Sequence, residues 1–117
     1  LKKISVIVPV YNNEGSLQIL YDRLKAVIRS HNSSYSYELI FINDGSKDNS
    51  LNILKEIRKN DDGVVVIDFS RNFGQMAGIL AGWDTASGDA IVNMSADLQD
   101  PPEQIGLMLT QWEKGNE

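Results

Sequence analysis

The sequence predicts an α/β domain, a three-layer, doubly wound and mainly parallel sheet, and three observations predict it. Four runs rich in β-branched residues alternate with four stretches of helical periodicity. The runs are near-continuously apolar, as in strands covered on both faces. Each run ends in a polar loop that leads into the following helix. Right-handed crossovers then give an open sheet with all four loops at one edge. Such sheets bind ligands at that edge, where the strand order reverses.

The first strand is Ile4–Val10, followed by the loop Tyr11-Asn12-Asn13-Glu14. Leu17, Leu20, Tyr21, Leu24, Val27 and Ile28 then recur at three- and four-residue spacings, with Asp22, Arg23, Lys25 and Arg29 on the water side. The polar cluster Ser30–Ser34 stops this helix. Tyr37–Ile42 is the second strand, and Asn43–Asp48 the second loop. Asp48 or Ser46 caps the next helix, whose inner face is Leu51, Ile53, Leu54 and Ile57. Gly63 suits its left-handed exit. Val64–Phe69 is the third strand, Ser70–Gly74 the third loop, and a helix follows to about Ala86. The fourth strand, Ala90-Ile91-Val92, leads to Asn93–Glu103. Asp100 is the expected N-cap of the last helix, with proline in the first turn and Glu103 completing a capping box. Its inner face is Ile105, Met108, Leu109 and Trp112, and Gly115-Asn116 reads as its stop.

Composition narrows the function. The chain has 117 residues, 42% of them apolar, which fits one ordered domain. A formal net charge of −5 argues against nucleic-acid binding, which calls for a basic stripe. It leaves nucleotide ligands open, because a metal ion can supply the charge that phosphates need. The absence of cysteine removes disulfides, zinc-thiolate sites and thiol nucleophiles. No apolar run approaches the roughly 20 residues of a membrane span, so the expected location is cytoplasmic. The abrupt ends read as those of a piece cut from a longer protein.

The loops narrow it further. Asp97, Gln99 and Asp100 are oxygen donors at a strand end, suited to a hard divalent cation and an accompanying phosphate, although a polar turn explains them equally well. Gly74, Gly78 and Gly82 share one helical face. Close packing on the sheet is the expected reason for Gly78 and Gly82; Gly74, beside Arg71 and Asn72, is expected to serve a site at a helix N-terminus. Asp44 is either a turn residue or an acceptor for a ribose or a base N–H, and Tyr11 either covers a flat base or closes the core. His31, the only histidine, lies at the far end of the first helix and reads as solvated. There is no Gly-rich loop with lysine, and no GxGxxG after the first strand.

Taken together, Ser5–Asn12, Asn43–Asp48, Ser70–Gly74 and Ser95–Glu103 resemble the family-2 inverting glycosyltransferases, which share the GT-A fold. The branch they most resemble is the polyprenyl-phosphate sugar transferases, including dolichol-phosphate mannose synthase. The resemblance implies that the 117 residues are the nucleotide-sugar-binding, N-terminal part of such an enzyme. It implies transfer of a sugar, with inversion, from a nucleotide-diphosphate sugar to a polyprenyl phosphate or glycan. The full-length protein would then work at the cytoplasmic face of a membrane. Pro9 and Tyr11 would contact the base, and Asp44 the base or ribose. Asn13, Glu14, Asn43, Arg71, Gly74 and Ser95 would complete the nucleotide-sugar site. Asp97 would hold Mg²⁺ or Mn²⁺ against the diphosphate, with Gln99 as a second ligand.

The chain departs from the family pattern at two places. Ser95 stands where the first motif carboxylate belongs, and Asn13 where an acid follows the Tyr-Asn pair. No residue offers a convincing catalytic base, which is expected beyond Glu117. Two further readings are a non-catalytic nucleotide-sugar-binding module and a receiver-like signalling domain. The receiver reading lacks the acidic pair that it needs after the first strand.

Overall fold

The computed structural model describes residues 3–31, 35–99 and 101–114. Eight elements alternate: β1 (Lys3–Val10), α1 (Leu17–His31), β2 (Ser36–Asn43), α2 (Ser50–Lys59), β3 (Val64–Asp68), α3 (Gln75–Thr85), β4 (Ala90–Asn93) and α4 (Gln104–Glu113). All strand pairs are parallel, in the order β3-β2-β1-β4. The chain steps outward from β1 to β3 and then returns to the other side of β1. The strand order therefore reverses between β1 and β4, which opens a crevice at their carboxyl ends.

The alternation of side chains along the strands divides the core in two. Ile4, Val6, Val8 and Val10 of β1, with Leu39 and Phe41 of β2, face Leu17, Leu20, Leu24, Leu54, Ile105 and Leu109 of α1, α2 and α4. Ile7, Ile40 and Ile42 form the smaller core on the opposite face, where α3 packs. Right-handed crossovers require this division, because the two outward steps place α1 and α2 on one face and the return places α3 on the other.

Gly82 lets α3 lie close to the sheet. A Cβ at Gly82 would sit 2.4 Å from Ile7 Cγ2; one at Gly78 would make ordinary contacts of 3.5 Å with Pro9 Cβ and 3.6 Å with Ile42 Cγ2. Away from the loop edge, Asp61 accepts hydrogen bonds from Tyr21 Oη at 2.5 Å, Tyr37 Oη at 2.8 Å and the Gly63 N–H at 2.9 Å, with Lys25 Nζ 3.6 Å away. Burial opposes ionisation of Asp61, but the two hydroxyls, the Gly63 N–H and the Lys25 charge together hold its carboxyl below the usual range. Burial, followed by the bond to Asp61, pushes the Tyr37 hydroxyl up to about 12 and raises that of Tyr21 further.

Several details differ from the sequence reading. β3 and β4 are only half-buried over most of their length, because they are the sheet edges and α3 alone covers one face. Met108 is half exposed rather than inward-facing: α4 rests on α1 through Ile105 and Leu109, which turns Met108 towards the open side of β4. Glu103 makes no capping hydrogen bond; its carboxylate pairs with Arg23 of α1. Lys25 is half-buried against Asp61 instead of facing water. Asp48, not Ser46, meets the start of α2, accepting the Ser50 N–H at 2.9 Å. The expected Asp100 cap, the Gly115-Asn116 stop and the side chain of His31 lie outside the described residues.

Candidate functional site

Two adjoining hollows open at the carboxyl edge of the sheet. The first, of about 310 Å³, lies at the reversal of strand order. Pro9, Val10, Tyr11 and Asn13 line it from β1, Asp44 from β2, Asn72, Gly74 and Gln75 from the start of α3, and Ser95, Ala96 and Asp97 from β4. The second, of about 410 Å³, shares Tyr11 and Asn72 and adds Asn43, Ser46, Lys47, Asp68 and Arg71, among others. A larger groove of about 590 Å³ runs between β4 and α4, lined mainly by apolar side chains such as Ile91, Val92, Leu107 and Met108, and includes none of the four loops.

Asp44 builds the wall of the first hollow. It is only 3% exposed, and its two carboxylate oxygens accept the backbone N–H groups of Phe73 at 2.7 Å and Gly74 at 3.0 Å. A carboxylate thus holds the two backbone donors that lead into α3, close to a helix N-terminus, where negative charge is favoured. Gly74 has φ +99°, a conformation that glycine adopts without strain. Gly45 (φ +71°) passes so close that a Cβ there would lie 2.4 Å from Asn72 N. Loops two and three are therefore packed backbone to backbone.

The first loop is latched to the second in the same way. Asn12 N–H donates to Ser46 Oγ at 3.0 Å, while Asn12 Oδ1 accepts the Lys47 N–H at 2.8 Å. Asn13 N–H donates to Ser50 Oγ at 2.9 Å, and Asn13 Oδ1 accepts the Tyr11 N–H at 2.8 Å. Glu14 lines neither hollow; its carboxylate accepts the Asn49 N–H at 3.3 Å, beside the start of α2. Ser16 Oγ donates to the Ala96 carbonyl at 2.6 Å and ties in the fourth loop. Tyr11 is 45% exposed and borders both hollows, so its ring does not serve the core.

In the fourth loop Ser95 Oγ donates to Asp97 Oδ1 at 2.6 Å, and the Gln99 N–H reaches the same oxygen at 3.1 Å. The Ser95 hydroxyl, then the Gln99 N–H, hold the Asp97 carboxyl below its usual range. Asp97 is exposed and ionised, with both of these bonds on one oxygen. Among the described residues there is no group of three or more His, Cys, Asp or Glu that could enclose a metal. One free-standing carboxylate still fits Mg²⁺ or Mn²⁺ bound together with a diphosphate, because such ions commonly take one or two carboxylates and fill the remaining positions with phosphate oxygens and water. The Gln99 side chain is exposed and lies outside the lining of either hollow.

Asn43 and Arg71 belong to the second hollow. The Arg71 guanidinium lies 4.8 Å from the centre of the Phe73 ring. Asn43 is 2% exposed; its Nδ2 donates to Asp68 Oδ1 at 3.0 Å, and its buried Oδ1 has no hydrogen-bond partner. Sequence reasoning passed over Asn72, Gln75 and Asp68. Asn72 lay within the Ser70–Gly74 motif but was given no role of its own, Gln75 carries no periodic or motif signal, and Asp68 read as the last residue but one of a strand.

A model of glycosyl transferase family 2 matches residues 5–117. The chain belongs to this family. It is 51% identical over 113 residues to the uncharacterized glycosyltransferase YkcC of Bacillus subtilis, covering 97% of this chain and 34% of that protein. It is 42% identical over 113 residues to a prophage bactoprenol glucosyl transferase homolog of Escherichia coli, covering 97% and 36% respectively. A Yersinia pestis undecaprenyl-phosphate 4-deoxy-4-formamido-L-arabinose transferase is 40% identical over 116 residues, covering 98% and 35%. The chain thus spans about a third of the length of these curated relatives. Among solved structures, Staphylococcus aureus TarS 1-349 superposes with a TM-score of 0.72 at 21% identity, over 96% of this chain and 32% of that one. The same protein in complex with UDP-GlcNAc gives 0.67 at 24% identity, over 81% and 26%. These two likenesses establish the shared fold.

Proposed function

We propose that this chain is the donor-binding part of a glycosyltransferase that moves a sugar from a nucleotide-diphosphate sugar to a polyprenyl phosphate, with inversion. The observation that carries the reading is the meeting of Tyr11, Asp44, the α3 N-terminus and Asp97 around one crevice at the reversal of strand order. The base lies in the second hollow between Tyr11, Asn43 and Arg71, and the diphosphate and sugar lie in the first. Asn13 and Asp44 act by holding the loops, and Gly74 by leaving the start of α3 open to the ligand. Arg71 and Lys47 supply positive charge where the chain as a whole has little. Glu14 supports the first loop from outside.

Asp97 would hold Mg²⁺ or Mn²⁺, and Gln99 is its candidate second ligand. The ion, when bound, supplies Lewis-acid stabilisation of the charge that develops on the departing nucleoside diphosphate. Ser95 orients the Asp97 carboxylate, so a neutral residue does the positioning at the place where the family carries a second acid. The base, if the acceptor requires one, comes from outside these residues. The names of the bactoprenol and undecaprenyl-phosphate relatives support a lipid-phosphate acceptor. Among the described residues, no helix is long and apolar enough to cross a membrane. The Ser95 substitution also favours a second reading, in which the domain binds nucleotide sugars without turning them over.

Calorimetric titration of UDP-sugars tests the proposal. Binding should require Mn²⁺ or Mg²⁺, and Asp97→Asn should abolish the metal dependence. Absence of metal-linked binding in both the unaltered chain and Ser95→Asp would overturn it. Transfer to polyprenyl phosphate by the full-length protein separates the enzyme from the binding module.

A further inference from the structure

We propose that Asp68 determines base specificity by fixing which end of the Asn43 amide a nucleobase meets. The inference rests on the nucleotide reading above. Val10, Asn43 and Asp68 stand at the same level on three adjacent strands, at the last register position before the loops. Asn43 and Asp68 both line the second hollow, beside Tyr11 and Arg71. A carboxylate accepts hydrogen bonds and an amide nitrogen donates them, so Asp68 selects one of the two amide orientations. Nitrogen turns to Asp68, at 3.0 Å, and oxygen is left over. That oxygen is buried and unpartnered, an arrangement with a cost that a ligand donor can remove.

The amide therefore asks for a donor on the facing edge of the base. Uracil and thymine carry an imide N3–H there. Cytosine carries a lone pair at the same position and sets acceptor against acceptor. An asparagine free to turn would satisfy either base. Asp68 makes this choice through the Asn43 amide, so it acts as a positioning residue.

The test compares UDP, TDP and CDP with Mn²⁺ on the 117-residue chain and on Asp68→Ala, by calorimetry. With TDP taken as the ribonucleotide, the three share one ribose, one phosphate chain and bases of similar size, so their ratio isolates the pyrimidine edge. The unaltered chain should bind UDP and TDP at least about tenfold more tightly than CDP, because a buried acceptor penalises a partner with no donor to offer. Asp68→Ala should bring the three to within about threefold, with a lower thermal midpoint because the buried Asn43 Nδ2 loses its acceptor. A merely structural role for Asp68 would weaken all three equally and keep the ratio. Binding of UDP and CDP with equal affinity by the unaltered chain overturns the inference and leaves the nucleotide site standing. A full preference retained in Asp68→Ala removes Asp68 from the account. No binding of any nucleotide by the unaltered chain overturns the donor-site reading itself, and this inference with it.

Discussion

Asp44→Asn should loosen the start of α3 and, through it, the wall of the crevice. The change keeps the size of the side chain but replaces one acceptor oxygen with a donor nitrogen. In the native chain the two oxygens meet two backbone donors, Phe73 N at 2.7 Å and Gly74 N at 3.0 Å. The variant can serve only one of them, and sets donor against donor at the other. Hydrogen bonds to charged groups contribute about 1.5–3 kcal/mol, and a buried donor left without a partner costs about 1–3 kcal/mol. Asp44 is 3% exposed, so water does not readily replace the lost bond. The expected loss is about 2–3 kcal/mol. Urea unfolding followed by circular dichroism reads it as a fall of about 1–2 M in midpoint at unchanged slope, for a slope of about 1.5 kcal/mol/M. Nucleotide affinity should fall as well, although Asp44 need not touch the ligand. A stability change below about 0.5 kcal/mol would mean that Asp44 does not organise the helix start, and the structural role assigned to it would be wrong.

Gly82→Ala should destabilise the fold by about 1–2 kcal/mol, because overpacking against Ile7 exceeds the roughly 1 kcal/mol gained in helix propensity; Gly78→Ala, with room for its methyl, should be neutral or stabilising by up to about 1 kcal/mol, and thermal melts of the pair check both. The Asp61 carboxyl is held low in the folded state, so its contribution to stability is complete above the unfolded value of about 3.9 and is lost as pH falls through the lower folded one. Asp61→Asn should flatten that acid limb in urea melts taken across pH 2 to 6 and lower neutral-pH stability by about 1–3 kcal/mol. Ser95→Ala should move the Asp97 carboxyl back up towards the ordinary range, read by NMR titration, and Ser95→Asp should bind metal-linked nucleotide at least as tightly as the unaltered chain.

The layered fold was legible because strand and helix periodicities are local and each carries its own signal. The gathering of the four polar loops at one edge of the sheet, where two hollows open, was legible for the same reason. The packing of Gly82 was legible too, since an interior helix glycine needs a cause; at Gly78, where a methyl would make only ordinary contacts, close packing does not require glycine. The role of Asp44 was not legible: its partners lie 29 and 30 residues away and meet it only because β2 and β3 are neighbours. The Tyr21–Tyr37–Asp61 cluster was hidden in the same way, although tyrosines on apolar faces signal hydroxyls in need of partners. Met108 was misassigned because a helical repeat gives an apolar stripe without saying how much of that stripe a neighbour covers.

The central claim is that the strand ends form one nucleotide-sugar crevice with Asp97 at its metal end. The most direct measurement is a two-dimensional amide NMR titration of the chain with a UDP-sugar, with and without Mg²⁺. The account predicts metal-dependent shifts at Tyr11–Asn13, Asn43–Lys47, Arg71–Gln75 and Ser95–Gln99. Shifts confined to the groove between β4 and α4, or no shifts at saturating ligand, would contradict it.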